Sequence, residues 1–420
     1  MRFLFASDSF KGTLTSEQIS ALLTQAATEV FPGCHTLGVP IADGGEGTTS
    51  AVIAATGGVL RTVPVHGPLM EETQAAYGVW EEPSLCRTPP AADTMPDIDA
   101  GTGSAAPGSP TRCIGAPYSH CIIEMAAASG LPMVPPDRRN PLHTTTYGTG
   151  ELIKDALDAG ISHIAVAIGG SATNDGGMGA MSALGIRFLD EQGHVLTGFG
   201  EDLGRVRDID LSELHPGVKT ATFTVMCDVQ NPLTGPDGAT YTFGKQKGGT
   251  PDILDRMEAD MCAYAKLLTE KTGIDPDQVP GTGAAGGLGA ALTVFLGARM
   301  QSGIETVLDL IGFDDLLEST DLVVTGEGRM DWQSAFGKVP SGVGQRCRKK
   351  SIPAVAIVGG MGEGAEKLFD HGIDSIMTTI NGAMDLDEAL GRSEELYLGA
   401  ARRMFRLVKA GMQLHPRMQS

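Results

Sequence analysis

Short apolar runs that are followed by polar, glycine-containing loops and then by helix-like sequence recur along this chain. The first unit has an apolar run at 2–6, a polar loop at 7–14, and helical spacing of apolar residues from Thr15 onward. Thr15 and Gln18 form a capping-box signature at the start of that stretch. The sequence therefore predicts a strand, a loop at the carboxyl end of the strand, and a helix.

The same alternation continues through the rest of the chain, which constrains the fold class. Similar strand-loop-helix patterns or strand candidates lie at 39–58, 163–185, 321–331, 353–360 and 374–380. Strands that alternate with helices predict an α/β fold with a mainly parallel sheet. In such sheets ligands bind outside the carboxyl ends of the strands, so the loops found there are the candidate site.

Size and charge narrow the class of protein further. A chain of 420 residues predicts two domains, with room for a third. Its net charge of −20 repels nucleic acid and anionic lipid, so we expect neither as a partner. Seven scattered cysteines without a C-x-x-C pair argue against a disulfide framework or a zinc site. The sequence has no signal-peptide pattern and no long apolar run, which predicts a cytoplasmic protein.

One segment, 82–117, breaks the alternation. It holds seven of the 24 prolines and almost no large apolar residues. Such a composition buries too little apolar surface to offset the entropy of ordering. We expect a loosely held, low-complexity surface insertion without a role in the site.

Two common nucleotide-binding signatures are weak or missing. Residues 281–286 match G-x-G-x-x-G, but no strand precedes them and no acidic residue follows at the distance of a ribose. A dehydrogenase is therefore disfavoured, and close packing at a helix start that faces an anion is the other interpretation. No P-loop pattern is present. The glycine run at 281–287 is also similar to the glycine-rich motif of ribokinase-like sugar kinases, but it lacks the aspartate of that motif.

Charged residues in the glycine-rich loops are more informative. In so acidic a chain, cations in these loops suggest anion clamps, and the neighbouring acids could hold Mg²⁺ or accept a proton during phosphoryl transfer. Each residue taken singly could equally be a surface charge, a helix cap or a turn residue. The cations are Lys11, Lys245, Lys247, Arg329 and Lys338, and the acids are Asp8, Asp43, Glu46, Asp175, Asp228, Glu327 and Asp331.

Taken together, these segments resemble one family, the type-1 glycerate kinases. The matching runs fall in the order and approximate spacing of that family and span nearly the whole chain. They are 8–18, 41–48, 123–131, 139–153, 168–177, 227–239, 243–248, 283–292 and 323–343. In place of the family's usual Asp-Pro-Leu-Gly pattern, the chain has His-Gly-Pro-Leu-Met after Val65.

The resemblance implies ATP-dependent phosphorylation of glycerate with Mg²⁺, and a fold of two α/β domains. A flavodoxin-like domain would comprise 1–66 and 296–420, and a domain likened to restriction enzymes would be inserted at 67–295. The active site would lie in the cleft between them. Family members are described as making 2-phosphoglycerate, although no residue here fixes attack through O2 over O3. The implied setting is glycerate and glyoxylate or sugar-acid catabolism.

The resemblance and the loop positions together suggest roles for individual residues. Asp331 is expected as the base, with Asp175 as the competing candidate. Small-molecule substrates are the expected partners, and the chain is expected to be a monomer or a homodimer. The remaining roles are Lys11 in catalysis; Ser9, Arg329, Asn174 and Ser334 at the substrate; Gly170, Ser171, Thr173, Lys245, Gly283, Gly286 and Lys338 at the nucleotide phosphates; and Asp43 and Asp228 at the metal.

Two alternatives remain open at this stage. The chain could phosphorylate another small hydroxy acid on the same scaffold, or it could be a non-catalytic carboxylate- or nucleotide-binding protein. Several acids around the cations argue against a pure binding module, since those acids would repel an anionic ligand.

Overall fold

The computed structural model describes residues 1–10, 12–45, 47–81, 118–335 and 337–413. Lys11 and the predicted insertion at 82–117 lie outside these residues. The strands are β1 Arg2–Ser7, β2 His35–Gly38, β3 Val59–His66, β4 Glu72–Trp80, β5 His120–Glu124, β6 His163–Ala167, β7 Arg187–Leu189, β8 Asp208–Asp210, β9 Thr222–Met226, β10 Arg299–Gln301, β11 Leu322–Gly326, β12 Arg329–Met330, β13 Ala354–Val358, β14 Gly360–Met361 and β15 Ser375–Thr378.

Helices connect most of these strands, as the sequence pattern predicts. They are α1 Ser16–Val30, α2 Thr48–Thr56, α3 Ala126–Ser129, α4 Tyr147–Asp158, α5 Met178–Ala183, α6 Ala239–Phe243, α7 Pro251–Thr272, α8 Leu288–Leu296, α9 Gly303–Leu310, α10 Phe313–Leu317, α11 Val339–Lys350, α12 Leu386–Gly391 and α13 Ser393–Met412. None of the helices in the described ranges is long and apolar enough to cross a membrane.

The two ends of the chain form one parallel sheet. Its five strands lie in the order β15-β13-β11-β1-β2. Renumbered within this sheet alone, the order is the flavodoxin-like 2-1-3-4-5. In that topology the connections leave in opposite directions from the pair β1 and β11, and ligands bind at the carboxyl ends of this pair.

The middle of the chain forms a second, mixed sheet of six strands in the order β10-β9-β6-β5-β4-β3. β3 and β4 form an antiparallel pair at one edge, while β5, β6, β9 and β10 run parallel. The α/β fold class is therefore confirmed. This sheet with its helices is named the inserted unit. β3 and β10, which lie on either side of the predicted bounds of 67 and 295, pair within it, and the bounds themselves stay a prediction.

Alternation along β1 shows how the layers pack. Phe3 and Phe5 face a core formed with α1 and α13, whereas Leu4 and Ala6 face a core formed with α9 and α11. The second core also contains Trp80 from the six-stranded sheet. Both faces of the parallel sheet are thus buried, which leaves its strand ends as the open surface.

Local capping follows the sequence signals with one exception. Thr15 caps α1 and forms the full capping box with Gln18. The pattern at 386–410 predicts one amphipathic helix, but the structure has two, α12 and α13, separated at Arg392. Arg392 leaves the helical conformation with ψ 21°, directly after Gly391, which is a poor helix former. This break lets the short α12 turn toward the end of the parallel sheet.

Candidate active site

A cavity of about 810 Å³ opens at the carboxyl edge of the five-stranded sheet. Residues that follow β1, β11, β13 and β15 line it, together with α12. The cavity therefore lies at the β1 and β11 switch point that the strand order predicts. Its polar side chains include Asp8, Ser9, Asp43, Glu327, Arg329 and Lys338, and its apolar ones include Phe10, Met361, Ile380, Met384, Leu386 and Leu390.

Close backbone contacts hold the strand ends together at this edge. The amide of Asp8 donates a hydrogen bond of 3.0 Å to the carbonyl of Gly326. A Cβ atom at Gly326 would lie 1.9 Å from the carbonyl oxygen of Ile357 on β13, so the position requires glycine. The loops after β1 and β11 are thereby fixed beside each other, with Asp8 and Glu327 facing one cavity.

Glu327 and Lys338 form the most buried ion pair of the cavity. Lys338 Nζ donates to Glu327 Oε2 at 3.2 Å, and the Glu327 side chain is 7% exposed. Glu327 Oε1 is buried and has no hydrogen-bond partner among the described residues. Burial raises the pKa of Glu327, and the nearby Lys338 and Ser334 oppose that rise. The cavity thus holds a buried carboxyl with one free oxygen beside a cation.

Two aspartates that follow strands of different sheets lie close enough for their charges to interact, and of the two only Asp43 lines the cavity. Asp43, in the loop after β2, lines the cavity and accepts a hydrogen bond of 3.2 Å from the Gly45 amide. Asp228 follows β9 of the six-stranded sheet and accepts 2.9 Å from the Gly303 amide. Desolvation of its carboxyl raises the pKa of Asp228, and the charge of Asp43 adds to the rise.

Part of the cavity wall is apolar although it is exposed to solvent. Met361 is 48% exposed, Leu386 71% and Leu390 46%. Asp385 caps α12 by accepting from the Glu388 amide, which fixes this short helix at the rim. Exposed apolar side chains that line one concave surface are suited to a flat, poorly hydrated group of a ligand.

Comparisons with known proteins identify the family. The family model described as "Glycerate kinase family" matches residues 3–409. The chain is 38% identical to the glycerate 2-kinase of Escherichia coli K12 over 413 residues, covering 98% of this chain and 99% of that protein. It is 39% identical to the glycerate kinase of Bacillus subtilis 168 over 402 residues, 96% of each. The chain belongs to the glycerate kinase family.

A solved structure agrees with this identification. The crystal structure of a protein assigned as glycerate kinase 2 from Salmonella typhimurium LT2 matches with a TM-score of 0.82 at 39% identity. The match covers 99% of this chain and 100% of that one. The resemblance read from the sequence runs is confirmed, and so is the prediction of a kinase.

Four of the predicted site residues of this kinase meet in the cavity. Ser9, Asp43, Arg329 and Lys338 all line it. Arg329 has a 78% exposed side chain, so its guanidinium is free to meet an anion.

Two other predicted residues, Asp331 and Ser334, lie beside the cavity without lining it. Asp331 Oδ1 accepts 2.9 Å from the Gln333 amide, and Oδ2 lies 3.8 Å from Arg329 Nε. Ser334 is fully buried, and its hydroxyl accepts from the Asp331 amide at 3.1 Å. Both therefore shape the turn that follows Arg329.

Asp175 does not line the cavity; it is enclosed in the inserted unit. Its Oδ2 accepts from the amide and the hydroxyl of Thr146, each at 2.7 Å, and from the Gly179 amide at 3.2 Å. Its Oδ1 accepts from the Gly177 amide at 3.1 Å. Burial raises the pKa of Asp175, while these hydrogen bonds oppose the rise. A fully buried carboxylate with these partners is not placed to touch a substrate.

The residues around Asp175 are also occupied with packing. Asn174 and Thr173 are fully buried. Lys247, also buried, donates 2.6 Å to the Thr173 carbonyl, and burial lowers the pKa of Lys247 to about 7. Its neighbour Lys245 is exposed. Of the two lysines in this loop, Lys247 is therefore the one held by contacts within the fold.

The glycine-rich run at 281–287 is a packing feature as well. A Cβ at Gly283 would lie 2.0 Å from the Pro232 carbonyl oxygen, and one at Gly286 would lie 2.1 Å from that of Thr173. Both glycines are buried. The G-x-G-x-x-G match therefore reflects close backbone contact within the inserted unit. Gly170 is exposed and Ser171 buried at the end of β6, outside the cavity.

Two features of the cavity did not follow from the sequence. Glu327 counted among the loop acids, but its isolation from water could not be read from the sequence. The apolar wall was not predicted because the pattern around Leu386 and Leu390 indicates an amphipathic surface helix. Within the described ranges, no group of three or more His, Cys, Asp or Glu is arranged to hold a metal ion.

Proposed function

We propose that this protein transfers the γ-phosphoryl group of ATP to a hydroxyl of glycerate and that the product is 2-phosphoglycerate. The observation that carries the proposal is the cavity at the β1 and β11 switch point, where Lys338 and Glu327 face an exposed apolar wall. A phosphoryl transferase that uses ATP needs such a combination of an anion clamp, a carboxylate and a surface for the adenine ring.

The adenine is expected on the apolar wall, and the phosphates toward the opposite, polar end. Leu386 and Leu390 of α12 offer a surface for a purine ring, while Gly360 lets a ligand approach the backbone closely. A Cβ at Gly360 would meet nothing within 4 Å, so this side of the cavity is open. Lys338 then lies where it can neutralise phosphate charge.

The glycerate carboxylate is expected at Arg329 and Ser9. The guanidinium of Arg329 can bind a carboxylate with two parallel hydrogen bonds, and its exposure leaves it free to do so. In a protein of net charge −20, such local cations must offset the long-range repulsion of two anionic substrates.

Mg²⁺ is expected at Asp43 and Asp228. Mg²⁺ in kinases is held by one or two carboxylates together with substrate phosphates and water, so a pair of carboxylates suffices. The mutual repulsion that Asp228 feels from Asp43 fits such a site, because a cation between them would relieve it. When bound, the metal would neutralise charge on the phosphates and help to orient them.

The residues of the chain then perform the positioning that phosphoryl transfer requires. Arg329 and Ser9 hold the acceptor, Lys338 holds the phosphate, and the cavity walls exclude much of the water. Such orientation of two reactants contributes a large part of the rate enhancement in this class of reaction. We place the reaction in the cytoplasm, within glycerate and glyoxylate or sugar-acid catabolism.

A coupled assay of ADP formation with ATP, Mg²⁺ and a panel of acids tests the proposal. Glycerate should give the highest kcat/KM, and lactate, tartronate and glycolate should be at least tenfold poorer. Phosphorus NMR of the product distinguishes the 2-phosphate from the 3-phosphate. Activity should vanish in excess EDTA. Faster turnover of another hydroxy acid would favour the alternative kinase, and no ADP formation with any acid would contradict the proposal.

A further inference from the structure

Glu327 has a combination of features that the binding roles above do not use. It lines the cavity, its side chain is 7% exposed, and Oε1 has no hydrogen-bond partner among the described residues. A buried carboxylate oxygen without a partner costs free energy and needs an explanation, such as a catalytic role. Lys338 pairs with Oε2, and hydrogen bonding from Ser334 lowers the pKa of the carboxyl, but Oε1 has no partner within hydrogen-bond distance among the described residues. Glu258 and Asp314 also have such an oxygen, but Glu327 is the one of the three that lines the cavity.

The position of Glu327 places this oxygen at the reaction centre of the proposed kinase. Glu327 directly follows Gly326, the last residue of β11, and β11 is one of the two strands at the switch point. The cations that would hold phosphate and carboxylate, Lys338 and Arg329, line the same cavity. A hydroxyl held between these two cations would lie close to the free oxygen of Glu327.

Asp331, the base expected from sequence, is less well placed. It does not line the cavity, and each of its oxygens already faces a partner, the Gln333 amide at 2.9 Å and Arg329 Nε at 3.8 Å. Its position suits a residue that orients Arg329 through their ion pair.

We propose that Glu327, and not Asp331, accepts the proton of the glycerate hydroxyl during phosphoryl transfer. This inference rests on the proposed function. The hydroxyl oxygen forms a bond to the γ-phosphorus of ATP, and the bond from that phosphorus to the bridging oxygen breaks. ADP leaves with that electron pair, and the hydroxyl proton moves to Oε1 of Glu327. The resulting carboxylic acid then releases the proton to solvent, which restores the carboxylate.

The electrostatics around Glu327 predict a pH dependence. Burial raises the pKa of Glu327 and the charge of Asp331 adds to the rise, whereas Ser334 and Lys338 lower it. The other charged side chains of the cavity wall are Asp8, Asp43, Arg329 and Asp385. A base must be ionised to act, so kcat/KM should fall as the pH drops through this raised pKa.

Three variants test the proposal: Glu327→Gln, Glu327→Asp and Asp331→Asn. Glu327→Gln should lower kcat by ~10²–10⁴-fold, the range for loss of a general base, with the dissociation constants of ATP and glycerate changed by less than about fivefold. Its residual activity should lack the acidic limb of the pH profile. Glu327→Asp keeps a carboxylate and should retain that limb with intermediate kcat. Asp331→Asn should lower kcat by less than about tenfold and act mainly on the KM for glycerate.

Other results would overturn the assignment. Near wild-type kcat in Glu327→Gln, or a larger kcat loss in Asp331→Asn, would exclude Glu327 as the base. Loss of ligand binding or of folding in both Glu327 variants would show a structural role instead. An unchanged acidic limb in Glu327→Gln would also contradict the proposal. Failure of the proposed function itself is separate, because the wild-type protein would then form no ADP with glycerate.

Discussion

Two regions of this molecule carry the same sequence signal, glycine-rich loops with acids and lysines after a strand, and the structure uses them differently. At the edge of the five-stranded sheet, the loops after β1 and β11 surround an open cavity. In the inserted unit, the loops around Asp175 and Gly286 are buried against each other. The first region presents charged side chains to an open cavity. The second encloses Asp175 with hydrogen bonds to both oxygens, although Thr173 Oγ1 and Asn174 Oδ1 beside it have no partner among the described residues.

Hydrogen bonding and exposure separate a ligand site from a packing motif in these two regions. Asp175 accepts hydrogen bonds from Thr146, Gly177 and Gly179, so its charge is already compensated. Glu327 keeps one oxygen free, and Arg329 is mostly exposed. Glycine content does not distinguish a ligand site from a packing motif, because close approach of the backbone is needed in either case. The open cavity and its exposed cation distinguish the first region, because buried polar atoms without a partner occur in both.

The largest expected effect comes from adding a methyl group to the packed region. Gly286→Ala places a Cβ 2.1 Å from the Thr173 carbonyl oxygen at a backbone φ of +66°. Overpacking together with a left-handed conformation should cost about 2–5 kcal/mol of unfolding free energy. Urea unfolding followed by circular dichroism measures this.

Gly360→Ala is the matched control in the cavity. A Cβ there would meet nothing within 4 Å, so the unfolding free energy should change by less than about 0.5 kcal/mol. The KM for ATP should rise a few-fold, since the methyl group points into nucleotide space. Equal destabilisation by the two variants would remove the distinction between the regions.

The buried lysine of the packed region should make stability depend on pH. The pKa of Lys247 is lowered by burial to about 7 in the folded protein, whereas a lysine in an unfolded chain titrates near 10.4. Between these values the unfolded chain binds more protons, so stability rises with pH across this window. The slope should be about 1 kcal/mol per pH unit between pH 7.5 and 9.

Lys247→Met should flatten that slope, and Lys245→Met serves as its control. Lys245 loses the same charge but is exposed, so it should keep the wild-type pH dependence. Urea midpoints at several pH values measure both. A wild-type slope in Lys247→Met would mean that Lys247 stays protonated in the folded protein throughout this range.

Sequence patterns predicted the fold well where local signals and packing agree. The capping box at Thr15 and the buried run of β11 both form as expected. The bounds of the inserted unit at 67 and 295 stay a prediction, and β3 and β10, which lie on either side of them, pair within the six-stranded sheet. A strand's partner is set by long-range pairing, which periodicity along the chain does not contain.

The site could be predicted in part, for a related physical reason. Ser9, Asp43, Arg329 and Lys338 line one cavity, as expected for polar residues near the ends of parallel strands, and their roles stay predictions. Asp175 follows a strand in the same way, yet its burial depends on α4 and α5 packing around it. Burial of that kind, and the isolation of Glu327 Oε1, arise only from the three-dimensional arrangement.

The smallest predicted effect concerns the apolar wall. Leu390→Ser should raise the KM for ATP by about three- to tenfold, the loss expected for one apolar contact with the adenine ring. Stability should stay nearly unchanged because Leu390 is 46% exposed. Leu407 is 65% exposed on α13 and does not line the cavity. Leu407→Ser should therefore leave the KM for ATP unchanged, and steady-state kinetics of the two variants measure the difference. Equal KM values for ATP in the two variants would place the adenine elsewhere.

Hydrogen–deuterium exchange with and without a non-hydrolysable ATP analogue and Mg²⁺ tests the central claim that ligands bind at the edge of the five-stranded sheet. Peptides that contain 326–331, 359–361 and 379–390 should become protected on binding. Peptides over 173–179 and 283–287 should exchange slowly in both states and change little, since their backbone is already packed. Strong protection confined to the second pair of segments, with none at the cavity, would contradict the account.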